Sequence, residues 1–138
     1  MWRRKVRILH VEDDPSFQAI VRVSLAQLGG HYVDTAGDAG RALVLAAAHA
    51  PDLVILDLEL PGENGLETLR ELRALGGMDR VPVIFLTGSS DMMRSVEMLA
   101  SGAVTVLQKP CRPRRLLDAV TAALGLPPPS PARGEGAP

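Results

Sequence analysis

Cysteine is almost missing from this chain of 138 residues, and the single Cys111 excludes an internal disulfide and a zinc site built from cysteines. The histidines His10, His31 and His49 stand without ligand spacing. Charge of one sign is missing too: 15 basic against 16 acidic residues leave a net charge of -1, too little to gather nucleic acid or acidic lipid by bulk attraction. Long apolar runs are absent. After the basic opening Met1-Trp2-Arg3-Arg4-Lys5-Val6-Arg7 no signal-peptide core follows, and nothing approaches the roughly 20 apolar residues that span a bilayer. These absences predict a reducing, cytoplasmic setting and no membrane partner.

What is present is a set of short apolar runs rich in Val, Ile and Leu, each ending on polar residues. Val6 to Val11 runs into Glu12-Asp13-Asp14, Leu53 to Leu56 into Asp57, Val83 to Leu86 into Thr87, and Val104 to Leu107 is followed by Lys109. The runs do not alternate strictly, as expected of strands buried on both faces of a parallel sheet. In such a sheet the ligand crevice lies beyond the carboxyl ends of the strands, so distant strand ends can converge on one pocket.

Between the runs the spacing changes to that of helices. Pro15 fits a first helical turn, with Phe17, Ile20, Val21, Leu25 and Leu28 recurring until Gly29-Gly30. His31 to Ala36 reads as a weaker strand. Asp38 can cap a helix over Ala39 to His49, which Pro51 ends. Leu60 to Gly65 is loop chemistry, and Leu66, Leu69, Leu72 and Leu75 space a helix that stops at Gly76-Gly77. Ser89-Ser90-Asp91 can cap a helix through Ser101 with Val96 and Leu99 inward, and a last helix runs from Arg114 to Leu124 with Leu116, Leu117, Val120 and Leu124 inward. Alternating strands and helices predict one domain over residues 1–125, a parallel sheet covered on both faces. The proline- and glycine-rich stretch 126–138 is expected to be a disordered tail or linker, or the remnant of a longer protein.

The stretches Ile8-Leu9-His10-Val11-Glu12-Asp13-Asp14-Pro15, Val54 to Gly65, Val83 to Gly88 and Leu107-Gln108-Lys109-Pro110, in this order, resemble the receiver domain of two-component response regulators over about residues 5–125. The resemblance implies a flavodoxin-like, five-stranded α/β sheet in order 2-1-3-4-5 with five helices on both faces. It further implies that Asp57 accepts a phosphoryl group from a histidine kinase or a histidine phosphotransfer protein. Glu12 and Asp13 would hold Mg2+ together with Asp57 and the backbone carbonyl of Glu59. Thr87 would bond a phosphoryl oxygen, Lys109 would pair with it, and the Lys109-Pro110 bond would be cis. Magnesium suits such a donor set, since it prefers oxygen ligands and keeps several waters. Without a cation the cluster is costly, as like charges about 4 Å apart repel by about 4 kcal/mol at an effective dielectric near 20.

Other residues have plainer readings. Asp14 is a helix cap, His10 a packed core residue, Cys111 a small buried hydrophobe, and Arg112, Arg114 and Arg115 a solvated patch. Met92, Met93 and Met98 are mostly core. The family's commonest pattern has an aromatic residue three positions before the lysine, and here that residue is Val106. A valine cannot swing a ring, so a switch would run through loop and helix shifts. The output surface would be the last two helices and the strand between them, with an unidentified downstream target and the option of a homodimer. No DNA-binding helix pair follows the fifth helix, so direct DNA binding is not expected. The chain is not expected to be an enzyme beyond its own phosphoryl transfer and dephosphorylation. Two rivals stand beside this reading: an interaction module that works without phosphorylation, and an aspartyl-phosphate hydrolase. The hydrolase is opposed by Glu59 where an aspartate is general and by the lack of a cap segment.

Overall fold

The computed structural model of the chain describes residues 5–88 and 92–127. Its sheet strands are β1 (Arg7–Val11), β2 (Tyr32–Ala36), β3 (Leu53–Asp57), β4 (Val83–Thr87) and β5 (Thr105–Gln108). All pairings among them are parallel, and the order across the sheet is 2-1-3-4-5, as expected. Every residue of β3 and β4 is buried, which is why their apolar runs are continuous, whereas the edge strands β2 and β5 are only partly covered.

The helices are α1 (Pro15–Arg22), α2 (Ala39–Ala48), α3 (Gly65–Arg73), α4 (Met92–Ala100) and α5 (Pro113–Ala123). Alternation along the strands divides the interior into two cores. Ile8, Leu53, Ile55, Ile84 and Leu107 pack with Val21 and Leu25 behind α1 and with Leu116, Leu117 and Val120 of α5. Leu9, Val11, Val54, Leu56 and Phe85 pack on the other face with Ala42, Ala46, Leu69, Leu72 and Met98 of α2, α3 and α4.

Local signals act as the residue types predict. Asp14 accepts a hydrogen bond from the Ser16 amide at 2.8 Å, and Asp38 accepts one from the Arg41 amide at 2.8 Å. The first helix departs from expectation: beyond Arg22 it continues as a π-helical segment, Val23–Leu28. Ser24 Oγ donates to the Ile20 carbonyl at 2.7 Å, a back-bond that competes with the regular helical ladder. A two-residue antiparallel ribbon, Glu59–Leu60 with Glu63–Asn64, replaces the expected plain loop, turning at Pro61 and at Gly62, whose φ is 72°.

On α4 the inward residue is Met98, fully buried, while Val96 and Leu99 are 57% and 49% exposed. The expected inward pair was in error because a short amphipathic helix with apolar residues on several sides does not announce which stripe meets the sheet. Met93 is exposed and Met98 is buried, so the expectation of mostly core methionines holds for Met98 and fails for Met93. The proposed cap Ser89-Ser90-Asp91 and residues 128–138 of the expected tail lie outside the described residues. No helix among the described residues is long and apolar enough to cross a membrane.

Gly65, at the start of α3, locks the loop after β3 to the strand. Its N–H donates to the Leu58 carbonyl at 2.5 Å, and a Cβ there would overlap the Asp57 carbonyl oxygen and press on Leu58 Cα and Phe85 at 3.0 Å. Since two of those neighbours are backbone, they cannot rotate away. Gly65→Ala is expected to destabilise the fold by about 1–3 kcal/mol. Urea unfolding checks this, and a midpoint equal to wild type would contradict it.

Candidate functional site

Strand-end residues meet at the carboxyl edge of the sheet. The alternation that sends Ile8, Ile55 and Leu107 toward α1 and α5 carries Glu12, Asp57 and Lys109 to the same side. There the Lys109 ammonium bridges two carboxylates: Nζ lies 2.7 Å from Glu12 Oε1 and 3.3 Å from Asp57 Oδ2. Glu12, Asp13 and Asp57 each present a carboxylate oxygen within 4.8 Å of the others. Glu12 and Asp57 are buried while Asp13 is exposed, so the group is walled by protein on one side and open to water on the other.

The surrounding backbone fixes these groups. Asp57 Oδ1 accepts from the Glu59 amide at 3.2 Å, and Glu12 Oε2 accepts from the Asp14 amide at 3.3 Å. The Lys109 amide donates to the Thr87 carbonyl at 2.8 Å, tying the segment after β5 to the end of β4, and the Lys109-Pro110 bond is cis. Thr87 is fully buried on the strand next to Asp57, in phase with Val83 and Phe85, and Glu59 reaches the cluster through its amide with its side chain exposed.

Two neighbours carried no separable signal in the sequence. Phe17, on the first turns of α1, places its ring 4.3 Å from Lys109 Nζ, a cation–π contact that confines the ammonium from above. Gln18 Nε2 donates to the Glu12 carbonyl at 2.6 Å. Phe17 was legible only as an apolar helix position, since helical spacing does not distinguish a core ring from one lying over a cation. Val106 is half-buried against the core shared with α2, α3 and α4, paired across the sheet with Phe85.

Burial sets the electrostatics. It raises the Glu12 carboxyl above its usual range, reinforced by the Asp57 charge and only partly offset by Lys109. For Lys109 burial works against the charge, yet Glu12 and Asp57 outweigh it and the ammonium is held more firmly than usual. Cys111 is half-buried, and burial pushes its thiol up, away from reactive thiolate character. Arg112, Arg114 and Arg115 are exposed, as expected of a solvated patch.

His10, two residues before Glu12 on β1, is fully buried, and its imidazole is lowered to about 3 by burial, then by the charges of Lys109 and Arg22. An unfolded chain takes up this proton as pH falls through 6.5, whereas the folded one resists until about 3. Through this residue the fold therefore incurs no protonation penalty above the unfolded value and loses stability as pH falls between the two. Relative to His10→Leu, the wild type is expected to lose roughly 2–3 kcal/mol on going from about pH 7 to about pH 4.5. Urea midpoints of both proteins at both pH values check this, and parallel changes would contradict it.

Three carboxylates, one exposed and two buried, form an oxygen donor set in which Glu12 and Asp57 share one ammonium. That arrangement fits a small hard dication such as magnesium.

Comparison with known proteins agrees with this geometry. The family model for the response regulator receiver domain matches residues 8–121. The DNA-binding response regulator MtrA of Mycolicibacterium smegmatis is 42% identical over 120 residues, covering 86% of this chain and 50% of its own length. The response regulator MprA of Mycolicibacterium vanbaalenii is 38% identical over 132 residues, covering 96% of this chain and 56% of its own. Among solved structures, the receiver domain of the sensor histidine kinase PA1611 from Pseudomonas aeruginosa, with a magnesium ion in its active-site cleft, is similar at a TM-score of 0.79 and 30% identity, over 88% of this chain and 99% of that one.

This chain spans about half the length of the curated relatives it matches. The expectation of no direct DNA binding is thereby overturned. It rested on the absence of a helix pair after the fifth helix, but MtrA is itself a DNA-binding response regulator, and half of its length lies outside the match.

Proposed function

The chain belongs to the response regulator receiver domain family, and we propose that Asp57 is its phospho-acceptor, charged in a magnesium-dependent reaction by a histidine kinase or histidine phosphotransfer protein. One observation carries this reading: Lys109 Nζ bridges Glu12 and Asp57 inside a group of three carboxylates whose oxygens lie within 4.8 Å. Glu12, Asp13, Asp57 and the Glu59 carbonyl would hold Mg2+, which when bound neutralises charge on the transferring phosphoryl oxygens. Asp57 Oδ2, already facing the ammonium, is the nucleophile; Lys109 and the Thr87 hydroxyl receive phosphoryl oxygens.

The chemistry then stops at the chain itself. Residues 1–125 act as the receiver in the cytoplasm, with 126–138 as tail or linker, and the chain turns over no outside substrate. Phosphorylation adds roughly 1.5 to 2 negative charges at the sheet edge, enough to bias adjoining loops and alter a binding surface. The exposed Val96, Leu99 and Val104 around α4 and β5 offer such a surface.

Incubation with acetyl phosphate and Mg2+ is expected to add one phosphoryl group per chain by intact mass, and chelation to prevent it. No label at saturating Mg2+ would overturn the reading. Val106 favours a second reading, an interaction module that works without phosphorylation, because no ring at that position couples the pocket to β5 and α5. Binding properties identical with and without the phosphoryl group would support it.

A further inference from the structure

We propose that His10 is a positioning residue of the phospho-acceptor site, held so that its Nε2–H, 4.0 Å away at rest, closes on Glu12 Oε1 when the Lys109 ammonium turns from it, and so fixes the carboxylate at the metal position. The proposal rests on the phospho-acceptor reading above. It begins from an imidazole that a plain core position does not explain. His10 is fully buried, yet neither ring nitrogen has a hydrogen-bond partner among the described residues. Its neighbours in register are Thr35 on β2 and Ile55 on β3, and an apolar side chain there would fill space without leaving polar atoms unpaired.

The ring instead points a nitrogen toward the site. Nε2 lies 4.0 Å from Glu12 Oε1, on the same face of β1. Oε1 has capacity to spare: it faces the Lys109 ammonium at 2.7 Å, and no other donor among the described residues reaches it. The ammonium is shared with Asp57 and is the group that must turn toward an incoming phosphoryl oxygen. As it turns, Oε1 becomes a buried anionic oxygen losing its cation. The neutral ring supplies a donor at that oxygen without adding a charge that would compete with metal.

A donor kept for function should cost stability when idle, whereas a packing residue should not. His10→Leu is therefore expected to raise the Tm by about 3 °C or more. In the same variant, calorimetric Mg2+ affinity is expected to fall roughly three- to tenfold, and the acetyl phosphate labelling rate at subsaturating Mg2+ with it. His10→Gln, which keeps an N–H donor, is expected to recover most of both. In the wild type, imidazole nitrogen NMR is expected to find the Nε2–H tautomer, a measurement that needs no variant to fold.

An Nδ1–H tautomer would overturn the proposal, because the Nε2 lone pair would then face the carboxylate. So would His10→Leu with wild-type Mg2+ affinity, or His10→Gln no better than His10→Leu. Failure of the parent reading looks different: wild type itself would take no label, whatever occupies position 10.

Discussion

Asp57→Asn takes no phosphoryl group from acetyl phosphate and Mg2+, a loss of at least about a thousandfold in labelling rate, while remaining folded. An amide is not a nucleophile toward phosphorus, and an acyl phosphate cannot form on it. The fold survives because Asn is isosteric and the Asp57 side chain has no role in the core; the Glu59 amide that donates to Oδ1 can donate to the Asn oxygen as well. The substitution also removes one of three crowded carboxylates, so the metal-free protein keeps at least its wild-type stability. Intact mass after incubation and a urea titration check the two halves separately. Residual stoichiometric labelling would move the acceptor elsewhere.

Lys109→Met has the second largest effect and acts on both chemistry and stability. Methionine retains most of the aliphatic stem under Phe17 but removes the charge that lies 2.7 Å from Glu12 and 3.3 Å from Asp57. Breaking a buried pair leaves the remaining charge uncompensated, so the metal-free protein is expected to lose about 3 kcal/mol at neutral pH. Mg2+ should restore more stability to this variant than it adds to wild type, since a cation is what the pocket then lacks. Labelling with acetyl phosphate should fall roughly 100- to 1000-fold, the usual effect of removing one charge-stabilising donor. Thermal melts with and without Mg2+ measure the first effect; equal metal-induced shifts in the two proteins would contradict it.

Much of this site was legible because parallel strands place their ends together. Glu12, Asp57, Thr87 and Lys109 each stand at or just beyond the end of an apolar run, and run ends in such a sheet share an edge, so four distant positions reduce to one place. What the sequence did not carry were contacts perpendicular to the sheet. Phe17 over Lys109 and Gln18 on the Glu12 carbonyl depend on how α1 seats, which helical spacing leaves open by a residue or two. The exposed Val96 and Leu99 were misplaced for the same reason, and the π-helical segment after Arg22, where Ser24 bonds back to the Ile20 carbonyl, carried no signal in the spacing. His10 was readable as buried but not as unpaired, because pairing belongs to geometry rather than residue type.

Val106 separates capture of the phosphoryl group from its transmission. The residues that would receive phosphate are complete, while the position three before Lys109 carries no ring. Half-buried opposite Phe85, Val106 fills space on β5 without a second rotamer that could exchange core for solvent on the scale of an aromatic.

The account stands most directly on where the phosphoryl group goes. Wild-type chain labelled with acetyl phosphate and Mg2+, reduced with borohydride to convert an acyl phosphate to its alcohol, and sequenced by tandem mass spectrometry is expected to carry homoserine at position 57 and nowhere else. Reduction at Glu12, Asp13 or another carboxylate, or a label on histidine that borohydride leaves in place, would contradict it.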